Sequence, residues 1–96
     1  MTSPESIALN DVPDTDTGYR LEEFDGELVL YHSTATQVLY LNETAALVWR
    51  LCDGKRTVET ICALLKEAYP NTADQIEHDV TATVADLVHS GALTLR

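Results

Sequence analysis

The side chains able to carry acid–base or nucleophilic chemistry in this chain are His32, His78, His89, Cys52, Cys62, Ser33 and Ser90. Histidine alone titrates near neutrality without help, so each of the three is a candidate general acid or base. His78 and His89 fall in one helical pattern, 11 residues and about 16 Å apart along its axis, which is too far to share a small site. His32 stands near a predicted strand end, and His78 and Asp79, adjacent in sequence, point in different directions. Neither serine has the glycine-flanked elbow of a hydrolase nucleophile, and no glycine loop is built to cradle phosphate. Neither cysteine has a second cysteine or a histidine at zinc-ligand spacing. Cys52 and Cys62 each sit within an apolar helical pattern, where a thiol acts as a small hydrophobe. The expectation is therefore no catalytic residue, no metal and no cofactor.

Charge narrows the partners. Sixteen acidic against six basic residues give a net charge of −10, whereas nucleic-acid binding rests on Lys and Arg displacing counterions. Nucleic acid is thus excluded as a partner, and a neutral or basic one is favoured. No apolar run is long enough to span a bilayer, and the first residues lack a secretory pattern, so a cytoplasmic protein without membrane contact is expected. Half of the acids fall within residues 1–27 beside a single base, Arg20. With Pro4, Pro13 and Gly18 among polar residues, positions 1–18 read as a flexible acidic arm with Ile7 and Leu9 as its points of local docking, and 19–96 as the folded domain.

The elements that must position any site follow from the periodicity of residues 19–96. Tyr19–Phe24 and Glu27–His32 alternate as strands around Asp25-Gly26, a strong two-residue hairpin signal. A turn over 33–36 leads to a third strand, Gln37–Leu41, which is an edge of the meander and presents unpaired backbone groups. The chain then turns a corner. Asn42 caps a first helix carrying Ala45, Val48, Trp49 and Cys52 on one stripe, and Asp53-Gly54 stops it. Thr57 caps a second helix, which ends before Pro70, and Thr72 to Gln75 match a capping box that opens a third. That last helix bears Ile76, Val80, Val84, Leu87 and Val88, and ends at Gly91; 92–96 form a short strand or a tail. The fold class is α+β, a winged helix-turn-helix-like domain with a three-stranded antiparallel sheet followed by three helices. Its last helix offers Asp74, Glu77, Asp79 and Asp86 and no Lys or Arg, unlike a groove-reading helix.

Three stretches together carry a resemblance. They are Tyr40-Leu-Asn-Glu-Thr-Ala-Ala-Leu-Val-Trp49, Leu51-Cys-Asp-Gly-Lys-Arg-Thr-Val-Glu-Thr-Ile61, and Asp79-Val80 with Leu87-Val-His-Ser-Gly-Ala-Leu93. Over residues 19–95 the chain resembles PqqD-like proteins, which include pyrroloquinoline quinone biosynthesis protein D and the stand-alone recognition elements of ribosomally made peptide natural products. The resemblance implies a non-catalytic module that captures the leader of a precursor peptide by adding it as a strand. The module then presents the peptide to a modifying enzyme such as a radical SAM protein, a cyclase or a leader peptidase. Carried onto this sequence, it nominates Gln37, Val38, Leu39 and Tyr40 as the pairing strand and Ile76, Asp79, Val80, Thr83 and Leu87 on the facing helix. Val80 and Leu87 read equally well as core. Alternatives from other classes are a winged-helix regulator working through protein contacts without DNA, and a small enzyme using His32 or His78.

Overall fold

Asp25 and Gly26 adopt positive φ values of 55° and 82°, the pairing that matches a two-residue turn to the right-handed twist of a hairpin. In the computed structural model, which describes residues 7–15, 17–32, 34 and 38–96, this turn joins β2 (Arg20–Phe24) to β3 (Glu27–Tyr31). A two-residue strand, β1 (Pro13–Asp14), precedes them. The third strand of the meander is β4 (Leu39–Leu41), antiparallel to β3 with Leu30 opposite Leu39 and Leu28 opposite Leu41. The sheet order is β2-β3-β4, so β4 is an edge. Gln37, and most of the turn expected at 33–36, lie outside the described residues.

Side chains alternate across the sheet as a strand requires. Leu28 and Leu30 point with Leu39 and Leu41 toward the helices, and Leu30 is fully buried there. Glu22, Val29 and Tyr40 lie across from one another on the opposite, outward face. Three helices follow: α1 (Glu43–Leu51), α2 (Val58–Ala68) and α3 (Ala73–His89). Asn42 Oδ1 accepts the Ala45 N–H at 2.8 Å, and Thr57 Oγ1 accepts that of Thr60 at 3.1 Å, as their cap positions predict. Val48, Ile61, Leu65, Val80, Val84 and Leu93 join Leu30 in one core, against which half-buried Trp49 packs.

Two local expectations are corrected. Thr72 does not cap α3 through its side chain: Pro70–Thr72 form a 3-10 turn that runs straight into the helix, and Thr72 (φ −118°, ψ 19°) lacks the extended backbone a capping side chain needs. α1 stops at Cys52, before Asp53-Gly54. Asp53 instead organises the connection to α2. Its Oδ1 accepts the backbone N–H groups of Lys55 and Arg56 at 3.0 Å each, and its Oδ2 meets the Arg56 guanidinium at 2.8 Å. The backbone donors of Arg56 and Lys55 hold the Asp53 carboxyl below its ordinary 3.8.

Residues 1–6 and Asp16 of the arm expected over 1–18 lie outside the described ones, and the local docking expected through Ile7 and Leu9 extends along the rest of it. From Ile7 the segment is tied down. The first N–H groups of a helix have no partner within it. Here the carbonyls of Asp11 and Leu9 accept those of Val58 and Glu59, each at 2.9 Å. β1 then pairs with β5 (Thr94–Leu95), Pro13 opposite Leu95, and buried Asp14 accepts from Arg96 Nε at 2.7 Å. The packing therefore continues across the boundary expected at Tyr19.

Both thiols are buried and free. Burial, reinforced by the Asp53 charge, pushes Cys52 up to about 12, and its Sγ–H donates to the Val48 carbonyl at 3.0 Å. Burial raises Cys62 as well. Because the fold prefers the neutral Cys52 thiol, its stabilising effect is complete below its ordinary value of 9.0 and is lost as pH climbs toward 12. Iodoacetamide at about pH 8 is expected to leave both cysteines of the native protein unmodified and to label both in guanidinium, as read by intact mass.

Candidate functional site

β4 leaves one row of backbone groups without a strand partner among the described residues, and α3 runs alongside it. Between them lies a groove of about 340 Å³ lined by Val38, Leu39, Tyr40, Leu41, Asn42, Ala45, Thr83, Asp86, Leu87 and Ser90. The walls have a simple origin. β4 alternates, so Leu39 and Leu41 turn toward the helices while Tyr40 stays 71% exposed. Asn42 caps α1 at the corner and sets Ala45 on the near end of the groove. Thr83, Asp86 and Ser90 recur at helical spacing and form a polar rim on α3, with Leu87 beneath them at 4% exposure.

The structure brings together five of the residues named from sequence: Val38, Leu39, Tyr40, Thr83 and Leu87. Ile76 is corrected, and of the two readings left open for Val80 the core one holds. At 3% and 0% exposure they are core, because the stripe 76, 80, 84 and 87 is turned inward into the helix packing. Asp79 is exposed one turn before Thr83 and does not line the groove. Gln37 lies outside the described residues. Leu41, Asn42, Ala45, Asp86 and Ser90 were not foreseen. Asp86 and Ser90 share the face of Thr83 at spacings of three and seven, a signal that sequence alone provides.

Among the described residues the groove has one charged lining residue, Asp86, and no basic one. Its chemistry is that of a receiving surface: backbone donors and acceptors on one wall, an apolar floor, and a polar rim. The histidines do not converge on it. His32 packs edge-on against Tyr19, ring centroids 5.1 Å apart, and its Nδ1 accepts the Thr34 N–H at 3.1 Å, which is a structural role. His78 and His89 are exposed on α3. Among the described residues no group of three His, Cys, Asp or Glu side chains is placed to hold a metal ion, and no helix is long and apolar enough to cross a membrane.

A three-stranded meander backed by three helices, with its last strand open beside the longest helix, defines a small α+β domain built around a strand-shaped groove. Residues 27–93 match the family described as "Coenzyme PQQ synthesis protein D (PqqD)", and the chain belongs to the PqqD family. Proteins named "PqqA binding protein" from Klebsiella pneumoniae strain 342 and from Klebsiella pneumoniae are each 38% identical to it over 66 residues, which span 66% of this chain and 67% of theirs. The fold is similar to the solution NMR structure of the PqqD truncation of Methylobacterium extorquens PqqCD, with a TM-score of 0.78 and 27% identity. That match covers 97% of this chain and 99% of the other. The Methylobacterium protein is described as a functional, stand-alone recognition element for ribosomally synthesised and post-translationally modified peptides.

Proposed function

We propose that this chain is a non-catalytic peptide-recognition module that binds the leader of a PqqA-type precursor peptide as an added strand on β4. The observation that carries this reading is the open β4 edge facing a groove floored by Leu87 and rimmed by Thr83. Backbone pairing along such an edge supplies affinity, and alternate side chains entering the groove supply selectivity. Val38, Leu39 and Tyr40, with Gln37 next in sequence, form the pairing strand; Thr83 and Leu87 face it, and exposed Asp79 flanks the end of the groove. The names of the Klebsiella and Methylobacterium relatives support the peptide class. None of these relatives carries a regulatory description, which leaves the winged-helix regulator without support. The receiving enzyme is a radical SAM protein, a cyclase or a leader peptidase. The free, buried Cys52 and Cys62 suit a reducing compartment, so the reading includes a cytoplasmic setting.

Amide NMR during titration with the precursor peptide encoded beside the gene tests the reading. Shifts are expected at 37–41 and 83–90, with 58–68 unmoved. Saturating peptide that leaves 38–41 unchanged would falsify strand addition.

A further inference from the structure

The helices cover one face of the sheet. On the other, Phe24, Tyr31 and Tyr40 are 74%, 45% and 71% exposed, and with Val29 and Val38 they close a shallow hollow of about 620 Å³. Exposed aromatic side chains gathered in this way mark an interaction surface. The hollow is bordered by carboxylates, Glu22, Asp25 and Glu27, and the one base seen there among the described residues, Arg20, stands 3.9 Å from Glu22. A second copy would bring the same acids against these, since a two-fold contact pairs a patch with itself. At a net charge of −10 that arrangement is disfavoured. Ring faces beside carboxylates are instead the chemistry that receives guanidinium and ammonium groups: the carboxylate pairs with the cation and the ring attracts it.

Val38 and Tyr40 line both this hollow and the groove beside α3. A strand added to β4 sends alternate side chains to opposite faces, one row into the groove and the other onto the outward face next to Tyr40. We propose that the outward face docks a protein partner presenting Arg or Lys around an apolar centre, and that the bound peptide's outward row completes the surface. Resting on the function proposed above, that partner is the enzyme that modifies the peptide. It sits on the sheet side, away from α2 and α3, and touches module and peptide together. Peptide and enzyme then strengthen each other's binding by the same factor.

The test uses the full chain, the precursor peptide and the modifying enzyme encoded beside the gene, with affinities measured by calorimetry. The double variant Phe24→Ser/Tyr31→Ser is expected to keep its helical circular dichroism and to bind the precursor within about twofold of the wild type, yet to lose about tenfold or more in enzyme affinity. Glu22→Lys/Glu27→Lys weakens the enzyme contact and flattens its salt dependence. Precursor added to the wild type raises enzyme affinity. Enzyme that binds the aromatic variant as tightly as the wild type, or that does not bind the wild type, overturns the docking surface. Precursor that binds without changing enzyme affinity removes the composite surface. A wild-type dimer that the aromatic variant converts to monomer assigns the patch to self-association and overturns the proposal. Failure of the precursor to bind, while enzyme affinity still depends on Phe24 and Tyr31, sinks the peptide reading and leaves the docking surface standing.

Discussion

Replacing Thr83 by tryptophan is expected to weaken precursor binding about a hundredfold, close to 2.7 kcal/mol, with little change in the fold. Thr83 lies on the rim of the α3 groove, across from β4 and near Asn42 and Ala45 at the corner. An indole there occupies much of a space of about 340 Å³, and the added strand cannot approach the β4 edge without displacing it. The stability effect is small, within about 1 kcal/mol, because Thr83 is outside the buried stripe of Ile76, Val80, Val84 and Leu87. Glu77→Trp is the control. It places the same bulk on the same helix near Lys66 and His78, away from the groove, and should leave affinity unchanged. Calorimetric titration of both variants decides the matter: equal affinity for Thr83→Trp and wild type means that the peptide does not use this groove.

That prediction depends on the rotation of α3, which is where the sequence was least informative. Helical periodicity puts 76, 80, 84 and 87 on one stripe and 79, 83, 86 and 90 on the next. Which stripe meets β4 is a tertiary fact, set by how α1 and α2 claim the apolar one. The family resemblance named a facing helix without its phase, so buried Ile76 and Val80 were grouped with Thr83. Leu87 escaped this ambiguity because it serves both environments, nearly buried yet forming the groove floor. The edge itself was legible. Asp25-Gly26 fixes the hairpin, Asn42 ends the third strand by starting a helix, and among the described residues that third strand has a neighbour on one side only.

Beyond local docking through Ile7 and Leu9, the pairing of residues 7–15 was not legible, for a different reason. Its acceptors are backbone carbonyls, of Leu9, Asp11 and Pro13, and these carry no residue signature. The acidic, proline-bearing composition that reads as a solvated arm places Asp14 where Arg96, 82 positions later, reaches it. A two-residue strand pairing at that separation leaves no periodic trace, since period-two alternation needs several residues to show.

The same junction gives the largest expected loss of stability. Gly54 has φ of 77°, so Gly54→Ala carries the cost of a left-handed L-residue, about 1–2 kcal/mol. Its new Cβ also falls 2.8 Å from Asp14 Cγ and 3.1 Å from Arg96 Nε. Asp14 has no cheap way to yield. Its side chain is nearly buried and held by Arg96 at 2.7 Å, and the neighbouring Pro13 carbonyl accepts the Gly54 N–H at 2.9 Å. Displacing a charge-assisted bond adds about 1.5–3 kcal/mol, for a total of about 3 kcal/mol or more, a large share of the 5–15 kcal/mol typical of a domain. Gly26 supplies the comparison. Its φ of 82° is just as left-handed, but an added Cβ meets nothing within 4 Å among the described residues. Gly26→Ala therefore carries the backbone cost alone, about 1–2 kcal/mol. Denaturant unfolding followed by the fluorescence of Trp49 measures both variants, and the difference between them isolates the Asp14 contact. Equal losses would mean that β1 and β5 do not hold Gly54 in place, whereas the expected gap makes the first described segment part of the folding unit.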